Sequence, residues 1–337
     1  MNTSKQEMLE LNLDEVSEVC RSALTCFITP EPAAEEVFKQ LLDAELRGKH
    51  SHGLVRIPWI YERLGEVSHH TPEGIQILPW FSRFECSKSI GYIAAREAQT
   101  KLLETLANHP FGVAVCANAF PTGVIGDYLR PLAESGRLAV GFATSPPLVT
   151  LPPGKSPLLG TNPICIALPS CEGHPPFVAD VSPAPATFGQ LLSMLYGFPG
   201  NLDQLDVTTR AGESPKTVED LFDDRIRLTG KIVQQLETPP QRRQYALTLG
   251  IELLTTLLAG SNPRGSLVMA AIDPGQFEGL HPDAVTNKIE QIVQQTDWHA
   301  IPGVHGETSL RNSQDQGLIS LPKKLWERLH RMAVTSN

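Results

Sequence analysis

The spacing of apolar positions predicts helices at the start of the chain and strands in its middle. Apolar residues recur at intervals of three and four in residues 16–24 and 37–46, which places them on one face of an α-helix. Gly48 follows the second segment and is expected to end that helix. The same period predicts a third helix over residues 93–106. The first hundred residues are therefore expected to be mainly helical.

From residue 112 onward the pattern changes to short apolar runs bounded by Gly, Pro and Ser. Such runs are typical of buried β-strands, and they cover residues 112–116, 138–143, 164–168, 177–180 and 266–272. Residues 197–240 are polar and rich in Pro and Gly, and are expected to form turns and short helix. Helical spacing returns in residues 245–258, 281–294 and 321–332. This order predicts a sheet in the middle of the chain.

Composition describes an ordinary globular protein of 337 residues, with 41% hydrophobic and 19% charged residues. A formal net charge of −9 argues against a nucleic-acid partner, because nucleic-acid binders usually carry a basic face. No apolar run approaches the roughly 20 residues that cross a bilayer, and the first residues are polar. We therefore expect a cytoplasmic protein without a membrane partner. Six scattered cysteines without metal-type spacing are expected to be mostly buried free thiols.

The run His-Ser-His-Gly-Leu-Val-Arg at residues 50–56 carries the most informative chemistry. His52 can give or take a proton near neutral pH, and Arg56 offers a planar fork that grips a carboxylate with two hydrogen bonds. The run follows a predicted helix, so its side chains are expected to reach a cleft from a firmly held loop. The alternatives are a histidine packed in a loop and an ordinary surface arginine.

Three further runs follow in order: Gly-Thr-Asn-Pro-Ile at 160–164, Phe-Val-Ala-Asp at 177–180 and Ala-Ala-Ile-Asp-Pro at 270–274. With the first run, they resemble the type 2 malate/L-lactate dehydrogenase family of NAD(P)H-dependent oxidoreductases, over nearly the whole chain. The resemblance implies that family's α/β, non-Rossmann fold, with a helical N-terminal region and a central mixed sheet domain. The chain accordingly lacks the Gly-x-Gly-x-x-Gly fingerprint.

The resemblance also implies a division of the chain and a partner. Residues 1–115 and 300–337 would form a helical region for dimerisation and substrate binding, and residues 116–299 a sheet-containing domain that binds the cofactor. A homodimer is expected, since the relatives are homodimers.

Individual positions take on roles from the same resemblance. His52 stands where the family has its proton-donating histidine, and Arg56 where an arginine binds the substrate carboxylate. Asp180 matches an aspartate near nicotinamide and substrate. The other matched positions are Ser51, Thr161 and Asn162 for substrate, and Ser145, Asp180, Val181, Ser182, Arg243 and Tyr245 for cofactor. The competing interpretations are a cap on the next turn of the chain for Asp180, turn formation for Thr161 and Asn162, and simple solvation for Arg243.

The chain departs from the family pattern at several positions. Residues 119–126 contain no histidine where relatives have a second one, and His50 replaces an aspartate. The family's glycine loop is replaced by Pro-Pro-Gln-Arg-Arg-Gln-Tyr-Ala at residues 239–246. Proline fixes φ and removes a backbone donor, so this loop cannot lie against cofactor phosphates as a glycine loop would.

Our leading hypothesis is a reductase, or dehydrogenase in reverse, that uses NADPH or NADH. Its substrate would be a small carboxylate with an α-keto (2-hydroxy) or cyclic imine group, and the lost second histidine favours an imine, which can arrive already protonated. The alternative is a divergent family member without nicotinamide redox activity, either a non-redox enzyme or a ligand-binding protein. A weaker third possibility is a metal-dependent hydrolase that uses His50 and His52 with His69, His70 or a carboxylate.

Overall fold

The computed structural model describes residues 7–63, 70, 72–152, 154, 156–170, 173–261, 264–279 and 282–334. Its helices are α1 Leu13–Thr25, α2 Glu31–Leu46, α3 Arg56–Arg63, α4 Gly91–Leu106, α5 Ile125–Glu134, α6 Phe188–Leu195, α7 Pro239–Ala259, α8 Pro282–Val293, α9 Val304–Gln316 and α10 Lys323–Val334. Its strands are β1 Met8–Asn12, β2 Glu73–Leu78, β3 Phe81–Glu85, β4 Phe111–Ala117, β5 Leu138–Ala143, β6 Val149–Thr150, β7 Ile164–Leu168, β8 Phe177–Val181, β9 Val207–Thr208, β10 Lys231–Val233, β11 Ser266–Ile272 and β12 Leu318–Pro322.

A seven-stranded mixed sheet lies at the centre of the molecule, in the order β2-β3-β4-β11-β5-β7-β8. Strands β3 and β4 are parallel, and the other neighbours in this sheet are antiparallel. The apolar side chains of α4 and α5 pack on the sheet in one buried cluster, while Ile251 and Ala259 of α7 belong to another cluster with Val115 and Val268. The central strands are therefore covered by helices, which explains their continuous apolar runs.

A helical region adjoins this sheet and contains the largest buried cluster. Helices α1, α2, α3 and α10 contribute to it, and the antiparallel pair of β1 and β12 joins the two ends of the chain. Short strands β6, β10 and β9 form a third, small sheet with its own apolar cluster.

The predicted α/β fold, with a helical N-terminal region and a central mixed sheet, is confirmed. Strands β2 and β3 extend the sheet into residues 73–85, which the helical interpretation of the first hundred residues missed. Ile75 and Ile77 of β2 are exposed, so an edge strand here does not show the buried pattern that marked the other strands. The division of the chain into a region of residues 1–115 and 300–337 and a domain of residues 116–299 stays a prediction.

Two further findings concern the predictions from composition. Among the described cysteines, Cys20, Cys86, Cys116 and Cys165 are buried and Cys26 is exposed, all as free thiols. Within the described ranges no helix combines the length and apolarity that crossing a membrane requires.

Candidate active site

A partly open cavity of about 80 Å³ lies where the helical region meets the sheet, and it has room for several water molecules. Its titratable wall residues are His52, Arg56 and Tyr92. Its hydroxyl-bearing wall residues besides Tyr92 are Thr122, Thr144, Ser145, Thr161, Ser182 and Thr187. Its larger apolar wall residues are Phe120, Leu148 and Phe188. The structure thus brings together several of the residues that the sequence singled out.

A buried carboxylate fixes the backbone of residues 50–56. Glu45 is 3% exposed, and it accepts a hydrogen bond from the backbone N–H of Leu54 at 2.7 Å while also pairing with Nδ1 of His50. A Cβ atom at Gly53 would collide with this carboxylate, so a glycine is required there. The ring of His50 stacks on Phe198 at 4.3 Å. His50 is therefore part of the anchor of the loop, and it is not a wall residue of the cavity.

His52 lies on the cavity wall, where its Nδ1 is 2.9 Å from Oγ of Ser51. Burial, and then the positive charges of Arg56 and Lys49, hold the pKa of His52 well below 6.5. The imidazole is consequently neutral at neutral pH in the ligand-free protein. An anion bound beside Arg56 would offset part of the positive field and raise that pKa.

Arg56 is the only cation among the described wall residues, and it is 5% exposed. Its Nε donates to the carbonyl oxygen of Ser51 at 2.8 Å, and its guanidinium lies 5.2 Å from the ring of Trp59 and 5.4 Å from that of Phe188. Burial lowers the pKa of Arg56, yet an arginine remains charged at neutral pH.

No carboxylate of the described residues forms an ion pair with Arg56. A buried charge without a counterion is expensive, and the arrangement therefore suits an anionic ligand. Gly189 makes room for the guanidinium, because a Cβ atom there would collide with Nη2.

Three wall segments are joined by short hydrogen bonds. Ser145 Oγ accepts from the backbone N–H of Thr161 at 3.2 Å, and Ser182 Oγ donates to the carbonyl oxygen of Thr161 at 2.6 Å. All three residues are wall residues, as expected for groups near a ligand. Val181, next to Ser182, is 55% exposed and provides an apolar surface beside the cavity.

Asn162 lies behind the wall. It is fully buried with a positive φ of 41°, and its Nδ2 donates to the carbonyl oxygen of Thr248 at 3.0 Å and to Oε2 of Glu252 at 2.8 Å. These contacts tie the 160–163 turn to α7. The structure thus gives Asn162 the turn-forming contacts that were its competing interpretation.

Asp180 also lies outside the set of wall residues. Its Oδ2 accepts from the backbone N–H of Gly126, in the first turn of α5, at 2.8 Å, and lies 3.5 Å from Nζ of Lys49. The carboxylate therefore caps α5 and pairs with a lysine whose charge also reaches His52. The sequence did not reveal that Lys49 takes part in the site. Its only signal was its position directly before the His-containing run at residues 50–56.

Arg243 and Tyr245 lie in the first half of α7, since this helix begins six residues earlier than predicted. Thr238 and Gln241 form a capping box, and Pro239 and Pro240 occupy the first turn. Two prolines and a satisfied cap leave no free backbone N–H in that turn to bind a phosphate. Arg243 is exposed.

The wall fits the nicotinamide end of a dinucleotide better than the start of α7 fits its phosphates. Hydroxyl groups and the exposed Val181 suit a flat neutral ring that carries an amide. A phosphate near α7 would have to be met by the side chain of Arg243, since the backbone there offers no donor. These residues are compatible with NAD(P)H provided that a side chain such as that of Arg243 replaces the glycine loop as the phosphate partner.

The described residues contain no group of three or more His, Cys, Asp or Glu side chains that could bind a metal ion. His50 is already bonded to Glu45 and stacked on Phe198. His69, which the hydrolase hypothesis invoked, lies outside the described residues.

The chain is similar to known dehydrogenases over nearly its whole length. The profile of a family described as malate/L-lactate dehydrogenase matches residues 11–330. The malate dehydrogenase of Pyrococcus abyssi is 25% identical over 95% of this chain and 93% of its own length. The (2R)-3-sulfolactate dehydrogenase (NADP(+)) of Chromohalobacter salexigens is 25% identical over 96% of this chain and 98% of its own length. The crystal structure of a dehydrogenase from Sinorhizobium meliloti superimposes with a TM-score of 0.81 at 25% identity, covering 97% of this chain and 99% of the other.

Proposed function

The chain belongs to the malate/L-lactate dehydrogenase family of oxidoreductases, and on that premise we propose that it is an NAD(P)H-dependent reductase of a small carboxylate. The substrate carries an α-keto or a cyclic imine group. The reverse reaction oxidises the corresponding 2-hydroxy acid or saturated cyclic amino acid. The observation that carries this proposal is Arg56, a buried cation without a carboxylate partner in the described residues, on the same cavity wall as His52.

Binding of the substrate carboxylate to Arg56 is the first step. The guanidinium can form two parallel hydrogen bonds to a carboxylate, and the pair neutralises a charge that is otherwise buried alone. Because the charge of Arg56 helps to lower the pKa of His52, its neutralisation raises that pKa. His52 then takes up a proton and donates it to the carbonyl oxygen or imine nitrogen of the bound substrate.

The reduced nicotinamide supplies the hydride when it is bound. Ser145, Ser182 and Val181 would hold the ring end of the cofactor beside the cavity, and Arg243 would provide the charge for a phosphate. Asp180 acts as a positioning residue, because its carboxylate holds both the first turn of α5 and Lys49.

A second candidate function is a family member that binds a carboxylate without nicotinamide redox chemistry. The start of α7 favours it specifically, since Pro239 and Pro240 remove the donors that a phosphate would use. Arg56 and His52 would keep their roles in ligand binding or in a non-redox proton transfer.

Titration of the purified protein with NADPH and with NADH separates the two functions. The reductase proposal expects micromolar affinity for at least one of them. It also expects oxidation of that nucleotide by members of a panel of 2-oxo acids and cyclic imino acids. The His52→Ala variant should bind the nucleotide and lose turnover. No binding of either nucleotide up to millimolar concentrations, together with binding of a 2-oxo acid, would select the non-redox function instead.

A further inference from the structure

We propose that the cavity selects a substrate with one carboxylate and an apolar body, and that Tyr92 holds this carboxylate together with Arg56. The inference rests on the proposed function, because it names the substrate class of the same cavity. It assigns to Tyr92 a specificity-determining role.

The charge on the wall matches one negative group. Arg56 is the only cation among the described wall residues, and none of these residues is a carboxylate. His52 is neutral before a ligand binds, for the reasons given above. A second carboxylate on the ligand would find no positive partner on the wall, and any hydration that it lost there would go uncompensated, which disfavours binding.

The neutral hydroxyl groups of the wall do not replace a second cation, and those of Thr144, Ser145, Ser182 and Thr187 are already hydrogen-bonded within the protein. The hydroxyls of Ser145 and Ser182 are engaged with the backbone of Thr161. Thr144 Oγ1 accepts a hydrogen bond from the backbone N–H of Ser266 at 3.1 Å. The rest of the wall is largely apolar, with Phe120, Leu148 and Phe188 as its bulky members. Such a surface favours a hydrocarbon body on the substrate.

Tyr92 differs from these hydroxyl groups because its phenol is unengaged. The residue is 1% exposed and lies on the cavity wall in the first turn of α4. Its hydroxyl has no hydrogen-bond partner among the residues that the structure describes. A phenol on a cavity wall without a partner in the protein can donate its hydrogen bond to a ligand in that cavity.

The ring of Tyr92 is held in place. A Cβ atom at Gly123, whose φ is +69°, would collide with the ring, so the ring packs directly on the 120–123 loop. Burial raises the pKa of Tyr92 to about 12, against the opposing effect of the nearby charge of Arg56. The phenol therefore stays protonated at neutral pH and donates to an anion held by Arg56.

The test compares two 2-oxo acids of equal length, 2-oxopentanoate and 2-oxopentanedioate, which differ by a second carboxylate in place of a methyl group. Calorimetry gives their affinities for the full chain, and nucleotide oxidation gives kcat/KM. We expect 2-oxopentanoate to bind at least about 100-fold more tightly. The Tyr92→Phe variant should weaken its binding by about 10-fold, as expected for a lost hydrogen bond to a charged group. Nucleotide affinity and Tm should not change.

Tyr61→Phe is the matched control, since it removes a phenol hydroxyl from an exposed residue. Equal or tighter binding of 2-oxopentanedioate would overturn the substrate class, and so would binding of neither acid. Unchanged binding in Tyr92→Phe would overturn the role of Tyr92. Preferred binding of 2-oxopentanoate without turnover would support this inference while contradicting the proposed reductase activity, so the two failures are distinguishable.

Discussion

Arg56 is the residue on which recognition of the substrate depends most directly. The Arg56→Lys variant keeps the positive charge but loses the planar fork and its stacking on aromatic rings. We expect KM for the carboxylate substrate to rise by about 10- to 100-fold, while kcat falls less. Steady-state kinetics with the best substrate of the panel measures both values.

The control for that variant is Arg227→Lys, in an exposed arginine paired with Asp223. It should leave KM unchanged. An Arg56→Lys enzyme that is folded and has the parental KM would contradict the role of Arg56 in binding the carboxylate.

His52 gives a prediction about stability and pH. Its pKa in the folded protein is held below the usual 6.5 by burial and by two positive charges, so between those two values the unfolded chain binds more protons. The free energy of unfolding therefore rises with pH through this window and is independent of His52 above about 6.5. Urea unfolding across this pH range should show a smaller rise in His52→Gln. Identical pH dependence in both proteins would contradict the burial of a neutral imidazole.

The sequence revealed His52 and Arg56 because both belong to a recognisable local run. It did not reveal Glu45, Lys49 or Tyr92 as parts of the site. Glu45 acts through a backbone N–H nine residues away, and Lys49 acts through Asp180, which is remote in sequence. Such roles depend on tertiary neighbours, so no local pattern marks them.

At the scale of elements, the strands with continuous apolar runs were predictable from the sequence. For α7 the end of the helix was predictable but its beginning was not. The helix ends at Ala259, next to the predicted last residue 258, but its beginning was placed at residue 245. The signal that was missed is Thr238 followed by two prolines and Gln241, a capping box with Pro in the first turn. Helix α9 was missed for another reason, since its sequence is polar and only Val304 is buried.

The start of α7 gives a prediction about the cofactor. Arg243→Ala should weaken binding of the nucleotide by several-fold and reduce its salt dependence, because an exposed cation meets a phosphate mainly through its charge. Arg242→Ala is the matched control. Arg242 is committed to the carbonyl oxygens of Leu236 and Glu237, so its loss should leave the affinity unchanged. Equal effects of the two variants, measured by nucleotide titration at two salt concentrations, would contradict the assignment.

At the scale of the whole molecule, α7 presents an apolar surface on the side away from the sheet. Leu253, Leu254 and Leu257 lie on this side of the helix and are 61%, 44% and 79% exposed. We propose that a second copy of the chain covers this face, as the family resemblance implies for a homodimer. Clusters of exposed apolar residues commonly mark such interfaces.

Light scattering at several concentrations tests this proposal. The wild-type protein should be a dimer, and Leu257→Glu should shift it towards monomer. Val334→Glu, which introduces the same charge at a 69% exposed position of α10, should remain dimeric. A monomeric wild-type protein would refute the proposal, as would a Leu257→Glu variant that dimerises as before.

The central claim is that the protein uses hydride from a nicotinamide to reduce the α-keto or imine group of a small carboxylate bound in this cavity. The most direct measurement uses NADPH and NADH carrying two deuterium atoms at C4 of the nicotinamide ring, so that hydride transfer from either face is labelled, incubated with the protein and the 2-oxo and cyclic imino acids. Mass spectrometry then locates the label in the products. The account predicts one deuterium on the carbon that bore the carbonyl or imine, with yield lost in His52→Ala. Products without deuterium, or no product from any of these acids with either nucleotide, would contradict it.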